Sequence, residues 1–458
     1  MIRRSLQQIS QMAMGTLSNS VDGNVLVQGV SIDSRTVMPG NLFVPIMRTK
    51  DGHDYVREAI HRGAAAALWQ KDRPAPPPGV PLVLVGDTVT ALQSMAKAYR
   101  RQTTARIVAV TGSNGKTTTK DMLNAVLATT FKVHSTRGNL NSQIGVPLTL
   151  LAMEEETEVA IIEMGMSERG QIGRLSDIAN PDAAVITNIG HSHLASLGSR
   201  EEIARAKLEI VQGLGDGFLV WNGDDPLLRQ ELALDPARHA GLKIAFGLRD
   251  TCDYQAHDVQ ATSRGTSFKV NGANVRYEIP VIGEHNVLNA LAAIAVAERL
   301  DVTPSDIVRG LAALRLSGMR MEVLSAAAGY TVINDAWNAS PASMKAALDT
   351  VSRLEGYRRK IAVLGDMLEL GSREREFHLE IGRSIAPERI HYVFTVGELG
   401  KAIAEGAEAR FAEGRVRAFD TKEEAARAIR SMIGPGDAVL VKASRGMQME
   451  EIVTELTQ

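Results

Sequence analysis

The chain has 458 residues, of which 44% are apolar and 23% are charged, and its formal net charge is −2. These values are typical of a globular protein of about three domains, and they lack the basic excess that would indicate a nucleic-acid binder. No apolar run approaches the roughly 18 residues of a membrane span, so we expect neither a membrane span nor a signal peptide. The single cysteine, Cys252, excludes an intrachain disulfide and indicates a reducing, cytoplasmic location.

Residues 1–86 are predicted to form a first unit. Its pattern indicates a helix over residues 55–62, and the prolines within residues 74–81 indicate a loop near its end. Ser34 and Arg35 are a weak signal by themselves. They favour a helix cap and a surface charge over a binding site.

Residues 87–317 are predicted to form a second unit around a glycine loop. Residues 107–110 are apolar and β-branched, as in a buried strand, and helical spacing begins at Thr117. A loop between strand and helix points free N–H groups and the positive helix end at an anion. Lys116 would add a charge for the β- and γ-phosphates, and Thr117 a hydroxyl for Mg²⁺. The alternative is a purely structural glycine turn.

The loop departs from the standard phosphate-binding pattern. That pattern has a glycine six residues before the lysine, where this chain has Val110, and the glycines here are Gly112 and Gly115. The segment therefore indicates a shorter variant of the phosphate loop.

Further strands and helices alternate after this loop. Apolar runs at residues 158–162, 183–186 and 217–220 predict strands, and residues 200–214 predict a helix. This alternation predicts a mostly parallel sheet, with ligands bound beyond the carboxyl ends of its strands. Polar side chains cluster at those ends: Lys116, Glu163, Asn188, His193 and Asn222.

The remainder of the chain predicts a small β region and a third unit. Residues 253–280 alternate as short strands, with a tight hairpin turn at 271–272, and residues 286–300 form an Ala-rich helix. Residues 318–458 are again α/β, and no second phosphate loop occurs in them. Their predicted strands are residues 361–364, 391–394 and 438–441.

Two strand-end residues are candidates for binding a metal. Mg²⁺ prefers oxygen ligands, and one or two carboxylates together with phosphates suffice, which favours Glu163. A histidine is a less usual ligand, so His193 could equally be a polar contact, and His191 competes with it for either role.

Two other segments are ambiguous from pattern alone. Lys207 lies in an amphipathic helical stretch, where an exposed surface lysine is the simplest interpretation. Residues 335–341 follow a strand and contain Trp337. They could frame a nucleotide base, or they could be a capped helix start with Trp337 in the core.

Taken together, these segments resemble the Mur ligase family, ATP-dependent amide-forming enzymes of bacterial peptidoglycan precursor synthesis. The resemblance covers essentially the whole chain. The segments that carry it are residues 111–118, 138–147, 163–165, 187–190, 193–194, 206–210, 283–289, 319–322, 335–341, 365–371 and 442–446.

The resemblance implies an α/β fold of three domains. Residues 1–86 would bind a UDP-linked substrate, and residues 87–317 would be a parallel-sheet ATPase domain with a small β-rich extension. Residues 318–458 would be a Rossmann-like domain that closes over the dipeptide and ATP. ATP would phosphorylate the terminal carboxylate of a UDP-N-acetylmuramoyl-tripeptide, and the amine of D-alanyl-D-alanine would attack the acyl phosphate.

Two alternatives remain open. A sister ligase would add a diamino acid, but the motif at residues 365–371 favours the dipeptide branch. A nucleotide switch that hydrolyses ATP without forming a bond would leave Glu163, Lys207 and the third unit unexplained.

The resemblance also implies roles for individual residues, with ATP and Mg²⁺ as cofactors in a monomer. The catalytic residues would be Lys116, Glu163, His193 and Lys207. The ATP-binding residues would be Gly112, Ser113, Asn114, Gly115, Lys116, Thr117, Thr118, Asn286, Arg320, Asp335 and Asn338. The substrate-binding residues would be Ser34, Arg35, Asn139 and Asn141. The metal ligands would be Thr117, Glu163, His193 and a carbamylated Lys207.

Overall fold

The computed structural model describes residues 1–18, 21–74, 76–235, 241–262 and 265–458. One residue of the predicted proline loop, at position 75, lies outside this part. So do residues 263–264 of the predicted β region.

The N-terminal part forms a small α/β sheet. Its elements are β1 (Arg3–Ser5), α1 (Leu6–Met12), β2 (Thr16–Leu17), β3 (Leu26–Gln28), β4 (Val30–Ser31), β5 (Leu42–Phe43), α2 (Val56–His61), β6 (Ala66–Gln70), β7 (Leu82–Val85) and α3 (Thr88–Arg100). The five-stranded sheet has the order β2-β7-β6-β5-β4, and β1 pairs separately with β3. The helix predicted over residues 55–62 is α2, preceded by a 3₁₀ turn.

The apolar core continues from this sheet into the next unit. Helix α3 buries Leu92 and Tyr99 in a cluster shared with strands on both sides of residue 86. The Tyr99 hydroxyl donates to the Met153 carbonyl at 2.9 Å. The boundary between residues 86 and 87 stays a prediction, and the packing across it is continuous.

The central part is built on a nine-stranded sheet. Its elements are β8 (Arg106–Thr111), α4 (Lys116–Leu127), β9 (Val133–Ser135), α5 (Gly145–Ala152), β10 (Val159–Glu163), α6 (Gln171–Ala179), β11 (Ala183–Ile186), α7 (Leu194–Leu197), α8 (Arg200–Leu208), β12 (Phe218–Asn222), α9 (Pro226–Leu234), β13 (Lys243–Gly247), β14 (Tyr254–Thr262), β15 (Gly265–Val270), β16 (Arg276–Ile279), α10 (Glu284–Arg299) and α11 (Pro304–Ala312).

The strand order places the glycine loop at the middle of this sheet. The order is β16-β15-β14-β13-β12-β11-β8-β10-β9, with β8 to β13 parallel and β14 to β16 antiparallel. After β8 the chain builds β9 and β10 on one side and then crosses to β11 on the other. A reversal of this kind opens a crevice at the carboxyl ends of the strands, where ligands bind in such sheets.

One prediction about an element in this part was wrong in detail. The helix predicted over residues 200–214 ends at Leu208 and tightens into a 3₁₀ turn, where the buried Glu209 carboxylate accepts the N–H groups of Gly170 and Gly173.

The predicted hairpin is confirmed: β15 pairs antiparallel with β16, and the Ala273 N–H donates to the Val270 carbonyl at 3.1 Å, which closes a tight turn at Asn271 and Gly272. Five residues connect the two strands, and the Asn271 side chain also bonds to the backbone at the start of β14.

The C-terminal part is a second, mostly parallel α/β sheet. Its elements are β17 (Glu322–Ser325), β18 (Thr331–Asn334), α12 (Pro341–Arg353), β19 (Arg359–Gly365), α13 (Glu374–Ser384), β20 (Tyr392–Val396), α14 (Gly400–Glu408), β21 (Val416–Phe419), α15 (Lys422–Arg430), β22 (Asp437–Lys442) and α16 (Glu450–Thr457). The order is β17-β18-β22-β19-β20-β21, with β17 antiparallel at one edge. Among the helices described, none combines the length and apolar composition of a membrane span.

Candidate functional site

A cleft of about 830 Å³ lies between the central and C-terminal parts. The central part contributes the glycine loop and the ends of β10 and β11, and the C-terminal part contributes the ends of β18, β19 and β22. The two sheets therefore present their carboxyl ends to one shared space. This is where the sequence predicted ligands to bind.

The glycine loop is packed too tightly for side chains at its glycines. Gly112 and Gly115 both have positive φ, 153° and 80°, a region that L-residues rarely adopt. A Cβ at Gly112 would collide with the Thr187 hydroxyl, and one at Gly115 would lie 2.5 Å from Asn289 Oδ1. The loop is thus held against the end of β11 and against α10, with the N-terminus of α4 facing the cleft.

Side chains from neighbouring segments fix the tip of this loop. The Asn188 side chain both accepts from and donates to the backbone of Asn114, each at 3.1 Å. Ser340, at the start of α12, donates to Asn114 Oδ1 at 2.9 Å. The Ser113 hydroxyl lines the cleft, is buried and has no hydrogen-bond partner among the described residues. A buried hydroxyl without a partner indicates that a ligand supplies one.

Lys116 lies at the loop's end with its ammonium turned back onto the loop. Its Nζ donates to the Gly112 carbonyl at 2.7 Å. Burial lowers the pKa of Lys116, and the nearby Glu163 carboxylate opposes that shift. An arriving phosphate would provide a stronger partner than the carbonyl, because both groups would be charged.

Thr117 and Glu163 form the polar centre of the cleft. The Thr117 hydroxyl donates to Glu163 Oε2 at 2.8 Å, and the Asn141 side chain donates to Oε1 at 2.8 Å. Glu163 is only 2% exposed. Its backbone N–H donates to the Thr136 hydroxyl, so both the carboxylate and the strand end that carries it are fixed.

Arg320 reaches this centre from the C-terminal part. Its Nη2 donates to the Thr117 hydroxyl at 2.8 Å, and its guanidinium lies 5.6 Å from the Trp337 ring centre. Burial lowers the pKa of Arg320, partly offset by the Glu163 carboxylate. Trp337 is half-buried, so the alternative that places it in the core is wrong, although Ser340 does cap the helix that follows.

The remaining predicted nucleotide contacts also line the cleft. Asn286 is buried, and its side chain donates to the Ile282 carbonyl at 3.0 Å. The Asp335 carboxylate lies 2.6 Å from Lys442 Nζ, which also donates to the Asn338 carbonyl at 2.9 Å. Thr118 and Asn139 belong to the same lining.

His193 and Lys207 have different environments. His193 lines the cleft with positive φ, and its Nδ1 lies 2.9 Å from the Glu369 carboxylate of the C-terminal part. Burial lowers the pKa of His193, which favours the neutral imidazole. Lys207 is 2% exposed, so the interpretation as a surface lysine is wrong. Burial, together with the charge of Lys116, lowers the pKa of Lys207 far below its ordinary value.

Some predicted site residues do not line this cleft. Ser34 and Arg35 lie on a 3₁₀ turn of the N-terminal part, where the Ser34 hydroxyl donates to Glu58 and Arg35 pairs with Asp33 at 2.7 Å. Gly112 and Lys207 stand behind the lining. The cap at this turn is the Asp33 side chain rather than Ser34.

The oxygen ligands of this centre suit Mg²⁺. Within the described residues no cluster of three or more His, Cys, Asp or Glu side chains could hold a metal. Glu163 and the Thr117 hydroxyl nevertheless place hard oxygen atoms together at the phosphate loop. Mg²⁺ needs only one or two carboxylates when phosphates complete its shell, so these residues fit the ion.

Several cleft residues had no role in the sequence-based site. Asn289 lies within a quoted motif, and Glu369 and Lys442 lie in two others. Ser340 carries no signal beyond a helix cap. Their spacing along the chain gives no indication that they meet the glycine loop, since that depends on how the two sheets face each other.

Family models match three stretches of the chain. They are described as Mur ligase family, catalytic domain, over residues 26–100; Mur ligase middle domain, over 110–297; and Mur ligase, glutamate ligase domain, over 319–445.

Curated relatives match the chain along its whole length. The chain is 48% identical to the UDP-N-acetylmuramoyl-tripeptide--D-alanyl-D-alanine ligase of Bacillus subtilis (strain 168), covering 100% of this chain and 99% of the relative. The enzyme of the same name from Escherichia coli (strain K12) is 33% identical, with coverage of 100% and 99%.

Solved structures match as well. A crystal structure of MurF from Acinetobacter baumannii superposes with a TM-score of 0.90 at 30% identity, covering 100% of this chain and 99% of that one. MurF ligase from Thermotoga maritima in complex with ADP gives a TM-score of 0.81 at 29% identity, covering 94% and 97%.

Proposed function

This chain belongs to the Mur ligase family, and we propose that it joins D-alanyl-D-alanine to UDP-N-acetylmuramoyl-tripeptide in peptidoglycan precursor synthesis. The reaction forms one amide bond and converts ATP to ADP and phosphate. Identity of 48% along the entire length to a ligase of that name supports the assignment.

The observation that carries the proposal is the contact of Arg320 with Thr117. The Thr117 hydroxyl accepts a hydrogen bond from Arg320 of the C-terminal part and donates one to Glu163 of the central part. A γ-phosphoryl group at this point would meet Lys116 from one side and Arg320 from the other. Two cations at one phosphate favour transfer of the phosphoryl group, since charge on its oxygens is the main obstacle.

The residues support an acyl-phosphate route. Asn139 and Asn141 line the cleft beside Glu163, where the tripeptide carboxylate would approach the phosphate. When bound, Mg²⁺ would neutralise phosphate charge, held by Thr117 and Glu163. Once the carboxylate is phosphorylated, the dipeptide amine attacks the carbonyl carbon, and phosphate leaves as the amide forms.

Lys207 and His193 are assigned to a second metal position. Burial lowers the pKa of Lys207 and so favours its neutral amine, which is the form that combines with carbon dioxide to give a carbamate. The resulting anion would be offset by Lys116, the charge nearest to Lys207. His193, kept neutral by burial, has a free lone pair for a metal.

The remaining assignments follow the same reaction. The N-terminal part, with Ser34 and Arg35, would hold the UDP end of the substrate. We assign the three domains to residues 1–86, 87–317 and 318–458. The chain would act as a monomer, since one copy supplies the cleft lining, and in the cytoplasm, where ATP is available.

ADP release with different acceptors tests this function. The full chain is given ATP, Mg²⁺ and UDP-N-acetylmuramoyl-tripeptide, alone and with D-alanyl-D-alanine or a diamino acid. We expect release to depend on the dipeptide. Release that is equally fast without any acceptor would indicate a nucleotide switch, and stimulation by the diamino acid alone would indicate the sister ligase.

A further inference from the structure

The loop at residues 366–371, after β19, has a backbone held in place by the C-terminal part. The Met367 N–H donates to His378 Nε2 at 2.8 Å, and the Leu368 N–H donates to the Ser444 hydroxyl at 2.9 Å. His378 is fully buried. The side chains of this loop are therefore presented in defined positions.

Two of those side chains lie in the cleft and are not buried in the hydrophobic core. Leu368 is 40% exposed, although it is a large apolar residue, and the Glu369 side chain is 65% exposed. Both line the cleft. Leu368 lies against Gly446, where an added Cβ would be 2.9 Å from its Cδ1. An exposed apolar side chain on a fixed loop is suited to contact a ligand.

Glu369 also has fewer bonding partners than the other two cleft carboxylates, Glu163 and Asp335. Glu163 bonds to Thr117 and Asn141 through both oxygens, and Asp335 pairs with Lys442. Glu369 contacts only the edge of the His193 ring among the described residues, from a largely exposed position. A cationic ligand group that enters the cleft could therefore pair with the Glu369 carboxylate.

An arginine lies next to the Leu368 contact. Arg445 precedes Gly446, is 46% exposed, pairs with Glu450 at 2.5 Å and lies 5.3 Å from the Trp337 ring centre. Glu369 and Arg445 are thus each one residue away from the point where Leu368 meets Gly446. A ligand with a charged group at each end and apolar carbons between them would meet a carboxylate, an apolar side chain and a guanidinium here.

We propose that Glu369, Leu368 and Arg445 form the binding site for D-alanyl-D-alanine. Glu369 contacts the ammonium group, Leu368 packs against the methyl groups, and Arg445 contacts the carboxylate. Glu369 acts at binding and is assigned no proton transfer. The assignment rests on the proposed function, since it takes the dipeptide as the acceptor.

Steady-state kinetics of Glu369→Gln test the ammonium contact. We expect the KM for D-alanyl-D-alanine to rise about 10- to 100-fold, as for loss of a charged hydrogen bond, while the KM for ATP is unchanged. Glu369→Asp should recover part of the affinity. The matched control is Glu451→Gln, which removes a half-exposed carboxylate paired with Lys422 on the same unit.

A dipeptide without an ammonium group distinguishes a binding role of Glu369 from a purely structural one. N-acetyl-D-alanyl-D-alanine lacks the ammonium, so its inhibition constant should be the same for the wild type and Glu369→Gln. A wild-type KM for the dipeptide in Glu369→Gln would overturn the proposal, as would a fall in kcat with every KM unchanged. Dipeptide-dependent ADP release by the wild type is measured first, so failure of the proposed function would be seen separately.

Arg445→Gln tests the opposite end of the dipeptide. We expect a higher KM for D-alanyl-D-alanine but an unchanged KM for its C-terminal amide, which has no carboxylate to lose contact with. An equal rise for both acceptors would contradict the assignment of Arg445.

Discussion

At the scale of single residues, the cleft brings opposite charges to one point and keeps them partly desolvated. Burial lowers the pKa of both Lys116 and Arg320, and the nearby Glu163 carboxylate opposes each shift. In such surroundings charge interactions are stronger than in water, so each group is sensitive to replacement.

Lys116→Ala should lower kcat at least about 100-fold, as for removal of a preorganised charge partner in an active site. The loop itself should persist, since Gly112 and Asn114 are held by other contacts. ADP release and thermal unfolding are measured together, with Lys132→Ala as an exposed control on the same unit. Unimpaired turnover in Lys116→Ala would contradict the phosphate site.

Lys207→Ala should lose most activity, because its carbamate would position metal and substrate. A short carboxylate such as formate should restore part of the rate by supplying the missing anion. Glu201→Ala, a change at an exposed residue of the same helix, is the control. If Lys207→Ala is fully active, the carbamate has no role.

At the scale of elements, sequence patterns identified strands and helices well wherever local spacing decides them. The strand before the glycine loop, the helix after it and β11 lie where they were predicted. The exception involves a side-chain bond that cannot be read from spacing. The helix predicted over residues 200–214 ends at Leu208, and the next side chain, Glu209, bonds to N–H groups at the start of another helix.

The site was predicted unevenly for the same reason. Motifs gave the phosphate loop and Glu163, and the family resemblance gave Arg320 and Lys207. Pattern alone made Lys207 a surface lysine, because the burial of α8 comes from packing against other helices. Glu369 could not be assigned a role, since it meets His193 only when two sheets face each other.

Ion pairs with two arginines hold Asp437 in place at the start of β22. Its side chain is fully buried between Arg358 and Arg359, at 3.1 and 2.5 Å. Burial alone would raise the pKa of Asp437, but hydrogen bonds from Arg359 and Arg358 lower it from 3.8 to about 2.

A carboxylate whose pKa is lower in the folded than in the unfolded protein stabilises the fold at pH values above its unfolded-state pKa. This stabilisation is lost as the pH falls through the folded-state pKa. The contribution of Asp437 should therefore be full above about pH 4 and fade toward pH 2. Because one unit of pKa difference corresponds to about 1.4 kcal/mol, Asp437→Asn should cost roughly 2 kcal/mol of unfolding free energy at pH 7. Denaturant melts at both pH values check this, and an equal loss at pH 7 and pH 2 would contradict it.

At the scale of the whole molecule, the active centre is assembled from two units that face each other. Ser340 bonds to Asn114, Arg320 to Thr117 and Glu369 to His193, each across the cleft. Asp121 on α4 also accepts the backbone N–H and hydroxyl of Ser317, at 2.8 and 3.1 Å, in the segment that joins the two units. The phosphate loop is thereby coupled to the position of the C-terminal unit.

Arg320→Ala should raise the KM for ATP and lower kcat, with kcat/KM falling about 10- to 100-fold, because a charged hydrogen bond to the nucleotide site is lost. Stabilisation by ADP in thermal unfolding should shrink in parallel. Arg315→Ala, an exposed arginine nearby, serves as the control. Equal effects of the two changes would argue against a specific role for Arg320.

The central claim is amide formation through an acyl phosphate. The most direct measurement uses UDP-N-acetylmuramoyl-tripeptide carrying ¹⁸O in its terminal carboxylate, with ATP, Mg²⁺ and D-alanyl-D-alanine, followed by mass spectrometry. We predict a product extended by one dipeptide and phosphate that carries one ¹⁸O atom. ADP formation with unlabelled phosphate and no extended product would contradict the claim.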